Sequence, residues 1–212
     1  MFEALRLGRW IAAGALALGY ALLAHHTNTA AGTATLGVLL ALAPLVLAAL
    51  SLAWHARRRI AMLALFGLGC AALAANWSVL THHYDRIYWF EHAGTELILC
   101  LTFGRTLASG REPMCTTFAR AVHGTITPTL ARYSRQVTVA WVGFFGAMAA
   151  ASTTIFLVAP LSVWSAFANF FTAPLIAAMF VLEYLVRRYL HPHMEHAHIL
   201  DAVKAFWKAP AG

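Results

Sequence analysis

Residues 35–54 read TLGVLLALAPLVLAALSLAW and residues 60–82 read IAMLALFGLGCAALAANWSVLTH, with Arg57, Arg58 and Arg59 between them. Each run matches the roughly 20 residues a helix needs to cross a hydrocarbon core, and neither holds Asp, Glu, Lys or Arg. The pair reads as two membrane-spanning helices joined by a basic turn. Working outward, comparable runs occupy about 7–24, 87–107, 137–159 and 162–186. The whole chain agrees: 61% of its 212 residues are hydrophobic and 11% are charged, against about 25% charged in a soluble domain. A cytosolic enzyme and a disordered chain are both excluded. The first run is the shortest. Its apolar part, Trp10 to Ala24, follows Arg6 and Arg9 and precedes a small-residue stretch, Asn28 to Ala34. That resembles a secretory signal peptide; the start at Met1 leads us to expect an uncleaved anchor.

The net charge of +7 and a pI near 9.8 invite a nucleic-acid reading, which the placement of the charges removes. Of the 15 basic residues, all but Arg86 fall on alternate connections. Arg6 and Arg9 precede span one, and Arg57 to Arg59 follow span two. Arg105, Arg111, Arg120, Arg132 and Arg135 surround the loop after span four, and Arg187, Arg188, Lys204 and Lys208 follow span six. Basic residues collect on the cytoplasmic side. The expectation is an all-α integral membrane bundle of six transmembrane helices in the bacterial inner membrane, with cytoplasmic N- and C-termini and no nucleic-acid partner. The six-helix domain covers 1–190, and 191–212 forms a His-rich amphipathic cytoplasmic tail. The three cysteines form no CxxC pair, so neither a zinc knuckle nor a redox motif is supported.

Two cytoplasmic pieces read as interfacial helices. In the connection at about 108–135, Pro113 opens a helix whose Met114, Phe118, Ala121 and Val122 share a face, and Gly124 stops it. Thr127–Pro128 restarts a helix that runs into span five. In the tail, Ile199, Ala202, Val203 and Phe206 share a face, with Trp207 suited to the headgroup zone. Both pieces would favour anionic lipid or an acidic cytoplasmic partner.

Ionisable groups inside spans are costly and therefore functional candidates. On span four, His92, Thr95, Glu96, Thr102 and Thr106 share a face, and His92 and Glu96, four apart, are within mutual reach. On span six, Ser165, Asn169, Thr172 and Glu183 share another. At about 1.5 Å per residue, Glu96 lies about 12 Å below the outer surface, Asn169 about 9 Å, and Glu183 about 30 Å. The expectation is an outer polar cluster of His92, Glu96, Asn76 and Asn169, with interhelical hydrogen bonding as the competing explanation. Glu183 is expected to pair with Arg105 or Arg187 at the cytoplasmic end. His25, His26, His82 and His83 gather at the outer face as weak metal candidates, and His191, His193, His196 and His198 lie in the tail. No HExxH motif occurs, and no cofactor is expected. In span five, Gly143 with Ala147 and Gly146 with Ala150 are pairs that permit close helix approach.

From Leu97 to Arg188 a further pattern stands out. It comprises Phe103–Gly104 with Thr106–Leu107, Glu112–Pro113, Phe118–Ala119–Arg120, Arg132–Tyr133 with Arg135, and Val137–Thr138. Trp141 with Phe144–Phe145, then Trp164, Glu183–Tyr184 and Arg187–Arg188 complete it. In order and spacing this resembles a family of small polytopic bacterial inner-membrane proteins found among fatty-acid and aryl-polyene-type biosynthesis and export clusters. The family often has an Asn after the Phe pair of span five, where this chain has Gly146 to Ala151. The resemblance implies a setting and no reaction.

Together these readings lead us to expect a non-enzymatic membrane accessory of a lipid-like acyl or polyene assembly or export system. Arg111, Arg120, Arg132 and Arg135 would hold an acidic partner such as acyl carrier protein, or anionic membrane lipid, with an oligomer or complex possible. The alternatives are a membrane enzyme or small transporter using Glu96 and His92, and a metal- or haem-binding protein.

Overall fold

The computed structural model describes residues 2–30 and 32–190. The tail helix read over 191–212, with its four histidines, lies outside the described residues. Among the described residues the fold is all helical: α1 (Phe2–Thr29), α2 (Ala34–His55), α3 (Arg59–Ala75), α4 (Trp77–His82), α5 (Tyr84–Thr106), α6 (Met114–His123), α7 (Pro128–Val158), α8 (Leu161–Ala166) and α9 (Thr172–Leu190). A π-type turn, Phe167–Phe171, joins α8 to α9. Three stretches are long and apolar enough to cross a membrane: Ala34–His55, Pro128–Val158 and Leu161–Tyr189. The helix α3 is apolar but has only 17 residues. Leu16, Leu52, Ile60, Leu65 and Leu68 are among many large apolar side chains left exposed. Lipid accommodates such a surface and water does not.

The chain divides into two compact units, one of Met1–His92 with Ser152–Phe171, the other of Ala93–Ala151 with Thr172–Gly212. In the first unit Ala24, Ala41, Tyr88 and Trp164 form the buried core, flanked by Tyr20, Leu40, Tyr84 and Phe156. Small residues let these helices approach. Gly37 is buried, and a Cβ placed on it would stand 2.7 Å from the Tyr84 ring. That ring is held by its hydroxyl, which donates to the Thr27 carbonyl at 2.8 Å.

Proline shapes both α2 and the helix after α8. Pro44 lies inside α2 and offers no N–H to the Leu40 carbonyl one turn back. The Tyr20 hydroxyl from α1 donates to that carbonyl at 3.2 Å. In an apolar solvent a neighbouring helix must supply the missing donor in this way. Pro174 similarly has no N–H for the Phe170 carbonyl, and its ring crowds that turn. The π-type turn Phe167–Phe171 lies immediately before it, so the uninterrupted helix expected over 162–186 is widened there.

The expected span 60–82 is also broken. Asn76, at φ −103°, separates α3 from α4, and its side-chain amide donates to the Ala72 carbonyl at 2.9 Å. A side chain that bonds its own backbone competes with the helical ladder.

The second unit is organised by aromatic contacts and by α6. The Trp141 ring stacks on Phe145 at 5.2 Å and meets Phe180 at 4.7 Å, and Phe103 meets Phe145 edge-on. Cys100 Sγ contacts the Val142 carbonyl at 3.5 Å, close to Gly146. Gly143 meets nothing within 4 Å of a modest side chain, and Ala147 is exposed. Of the two expected pairs, the one with Gly146 therefore makes the closer approach and the one with Gly143 does not. As its flanking residues indicate, α6 begins after Pro113 and ends where Gly124 turns to φ 72°. Thr127 Oγ1 accepts the Leu130 N–H at 3.3 Å, capping α7 ahead of Pro128.

Candidate functional site

The first unit holds two histidine–serine contacts, His25 on α1 with Ser165 on α8 and His92 on α5 with Ser152 on α7. Ser165, wholly buried on α8, accepts hydrogen bonds from Asn28 Nδ2 at 3.2 Å and from Asn169 Nδ2 at 3.2 Å. Its Oγ lies 3.1 Å from His25 Nδ1. A hydroxyl has two acceptor lone pairs and one hydrogen. Asn169 also donates to the Ser165 carbonyl at 2.9 Å, pinning the start of the π-type turn.

Ser152 on α7, also wholly buried, repeats the arrangement. Trp164 Nε1 donates to its Oγ at 3.1 Å, and His92 Nδ1 lies 2.9 Å away. The edges of Trp164 and Phe167 close around the His92 ring at 6.4 and 5.9 Å between centroids. Beside His25 a groove of about 540 Å³ opens along α8 and the π-type turn, lined by Ile155, Val163, Phe167 and Phe171, with Ser162 at its side.

Each residue of the expected outer cluster has its own surroundings. His92 bonds Ser152, and Asn169 bonds Ser165. Asn76 is exposed and bonded to its own helix, so it joins neither. Glu96 belongs to the second unit, where its residue is 4% exposed and its Oε2 has no hydrogen-bond partner among the described residues. Of the four outer histidines, His25 is taken by Ser165, and His82 Nδ1 contacts the Ser78 carbonyl at 2.6 Å. His26 and His83 are exposed. Among the described residues no three His, Cys, Asp or Glu side chains group as metal ligands.

In the second unit Glu183 takes Arg187, not Arg105: Arg187 Nε is 3.6 Å from Glu183 Oε1. The Tyr133 hydroxyl donates to the same oxygen at 3.0 Å. The backbone N–H of Cys115 on α6 donates to Thr138 Oγ1 at 3.1 Å, and burial, aided by the Glu183 charge, pushes its thiol above the usual range against a smaller opposing pull from Thr138.

The four arginines expected to form a basic face divide. Arg120 is tied to Glu112 by a 2.7 Å ion pair. Arg111 and Arg135 point their guanidinium groups at backbone carbonyls, of Arg105 at 3.5 Å and of Leu107 at 3.1 Å. Arg132 is exposed. Neither of the two ion pairs among the described residues involves Arg111, Arg132 or Arg135. On α6 Thr116 is buried, whereas Phe118 and Ala121 face outward.

Sequence reasoning passed over Ser152, Asn28, the pairing role of Ser165 and the half-buried Glu91. A polar residue within an apolar run is the signal that could have found Ser152 and Glu91. Which histidine meets which serine depends on contacts 60 and 140 residues apart in the chain. Comparison with known proteins finds no matching family model, no similar curated protein and no similar solved structure.

Proposed function

We propose that this chain is a six-span inner-membrane accessory protein whose cytoplasmic face holds an acidic partner or anionic lipid. The observation that carries the reading is the trio Arg111, Arg132 and Arg135. All three are exposed, and none shares an ion pair with a carboxylate among the described residues. They accompany α6, whose Phe118 is 40% exposed and suited to the headgroup zone. The guanidinium groups of Arg111 and Arg135, oriented by backbone carbonyls, are ready for carboxylate or phosphate. Arg120 contributes less, because Glu112 already neutralises it. The setting, an acyl or polyene assembly or export system with acyl carrier protein as the acidic partner, rests on the family resemblance alone.

The test is recovery of purified acyl carrier protein, and separately of phosphatidylglycerol vesicles, by the detergent-solubilised protein. Replacing Arg111, Arg132 and Arg135 together by Gln should lower recovery about ten-fold or more at low salt, by the loss of three charged contacts. Arg120→Gln should change it little. Equal recovery by the triple variant removes the arginine face from the function.

A second reading, a membrane enzyme or transporter, is favoured by the buried Glu96 carboxylate. Glu96→Gln should then abolish activity while leaving the melting temperature unchanged. A fall in stability with function following protein level assigns Glu96 to packing.

A further inference from the structure

We propose that the groove beside His25 binds an acyl chain whose carbonyl or carboxylate oxygen accepts a hydrogen bond from His25 Nε2. Three features converge on this ligand class. The groove, about 540 Å³, has the size of a small-molecule site. Its walls are the apolar side chains of Ile155, Val163, Phe167 and Phe171, with His25 and Ser162 as the polar members and no charged side chain. That lining suits a hydrocarbon chain and offers nothing to a strongly ionic or many-hydroxyl ligand.

The second feature is the contact of His25 Nδ1 with the buried Ser165 hydroxyl. In the arrangement we propose, Ser165 Oγ accepts from Asn28 and Asn169 and donates to His25 Nδ1, so that Nε2 carries the ring proton. His25 thus gives the groove wall a donor and not an acceptor. Its ring is held a second time, edge-on to Phe170 at 5.1 Å. A donor oriented from behind in this way costs little further ordering when a ligand oxygen arrives.

The third feature is the π-type turn. Phe167 and Phe171 begin and end it, and both line the groove. Turns of this type recur at functional sites because they re-aim side chains without ending the helix. A free fatty acid and the acyl ester of a membrane lipid share the required chemistry, a chain with an oxygen acceptor at one end.

The groove and the arginine face belong to different units and rest on different residues, so each stands or falls alone.

The experiment places the full chain in phosphatidylcholine nanodiscs with one of three photoreactive probes, each carrying a chain diazirine. These are palmitic acid, a phosphatidylcholine with that acyl chain, and a hexadecane analogue without oxygen. Labelled positions are mapped by peptide mass spectrometry. At least one oxygen-bearing probe should label the 155–171 segment about five-fold more than the hydrocarbon does, the contribution of one hydrogen bond. It should exceed labelling at exposed Leu52 and Leu65 by a similar factor. Strong labelling by the free acid or by the phospholipid identifies the source, and either supports the proposal. Val163→Trp, at a half-exposed groove position, should remove groove labelling and leave Leu65 labelled. His25→Phe should reduce the oxygen-bearing probes to the hydrocarbon level. If His25→Phe does not fold, Val163→Trp and the probe comparison decide. Equal labelling of groove and control positions, indifference to Val163→Trp, or an unlabelled groove, as a second protein copy seated there would leave it, overturns the proposal.

Discussion

Tyr20 supplies the hydrogen bond that Pro44 denies to the Leu40 carbonyl. Tyr20→Phe should therefore destabilise the protein by about 1 kcal/mol, the worth of a typical hydrogen bond. In a Pro44→Ala background, residue 44 regains an N–H for Leu40, and Tyr20→Phe should cost close to nothing. Thermal unfolding of the four variants in detergent checks this, and equal costs in both backgrounds would show that the Tyr20 contact is incidental. Cys115 makes a different prediction. Burial raises its thiol pKa, and the thiolate is the reactive form. In a Cys70→Ala/Cys100→Ala protein, iodoacetamide should alkylate Cys115 slowly near neutral pH, with the rate rising only above the usual thiol range. By linkage, the neutral thiol's contribution to stability is complete below the ordinary thiol pKa and is lost as pH rises through the raised one.

At the scale of elements, the helices meet where the sequence is small and part where it is polar or proline-containing. Gly37 admits the Tyr84 ring to α2, and an added methyl would stand 2.7 Å from that ring. The ring cannot swing aside without releasing Thr27. Gly37→Ala should cost about 1–3 kcal/mol, the range for overpacking, read as a lower melting temperature. Gly143→Ala, at an open site, is the neutral control. Much of this level was legible beforehand. Pro113, Gly124 and Thr127–Pro128 mark the ends of α6 and the start of α7, because backbone restrictions act locally. Pro174 carries the signal of the π-type turn in the same way. The break at Asn76 was less legible, since Asn occurs within helices as well as at their ends.

For the whole molecule, the six-span reading predicts sidedness. On that reading, Thr117→Cys and Arg86→Cys, at two exposed positions of an otherwise cysteine-free protein, should lie on opposite sides of the membrane. A membrane-impermeant maleimide should label Arg86→Cys in intact spheroplasts and Thr117→Cys only in inverted vesicles. Labelling of both from one side would overturn the span count. The charge distribution supports this reading, since basic residues resist translocation, and three helices are long and apolar enough to cross.

Sequence by itself determined the all-helical, lipid-compatible character of the chain, the ends of its middle helices and the exposed arginines. These follow from apolar run length, local backbone restriction and charge, which need no distant partner. Tertiary structure alone decided that Arg120 is spent on Glu112 and that Glu183 takes Arg187 with Tyr133. It alone joined His25 to Ser165 and His92 to Ser152. A polar side chain in an apolar interior must find a partner, but periodicity places it only on a face, and the packing of other helices chooses the neighbour.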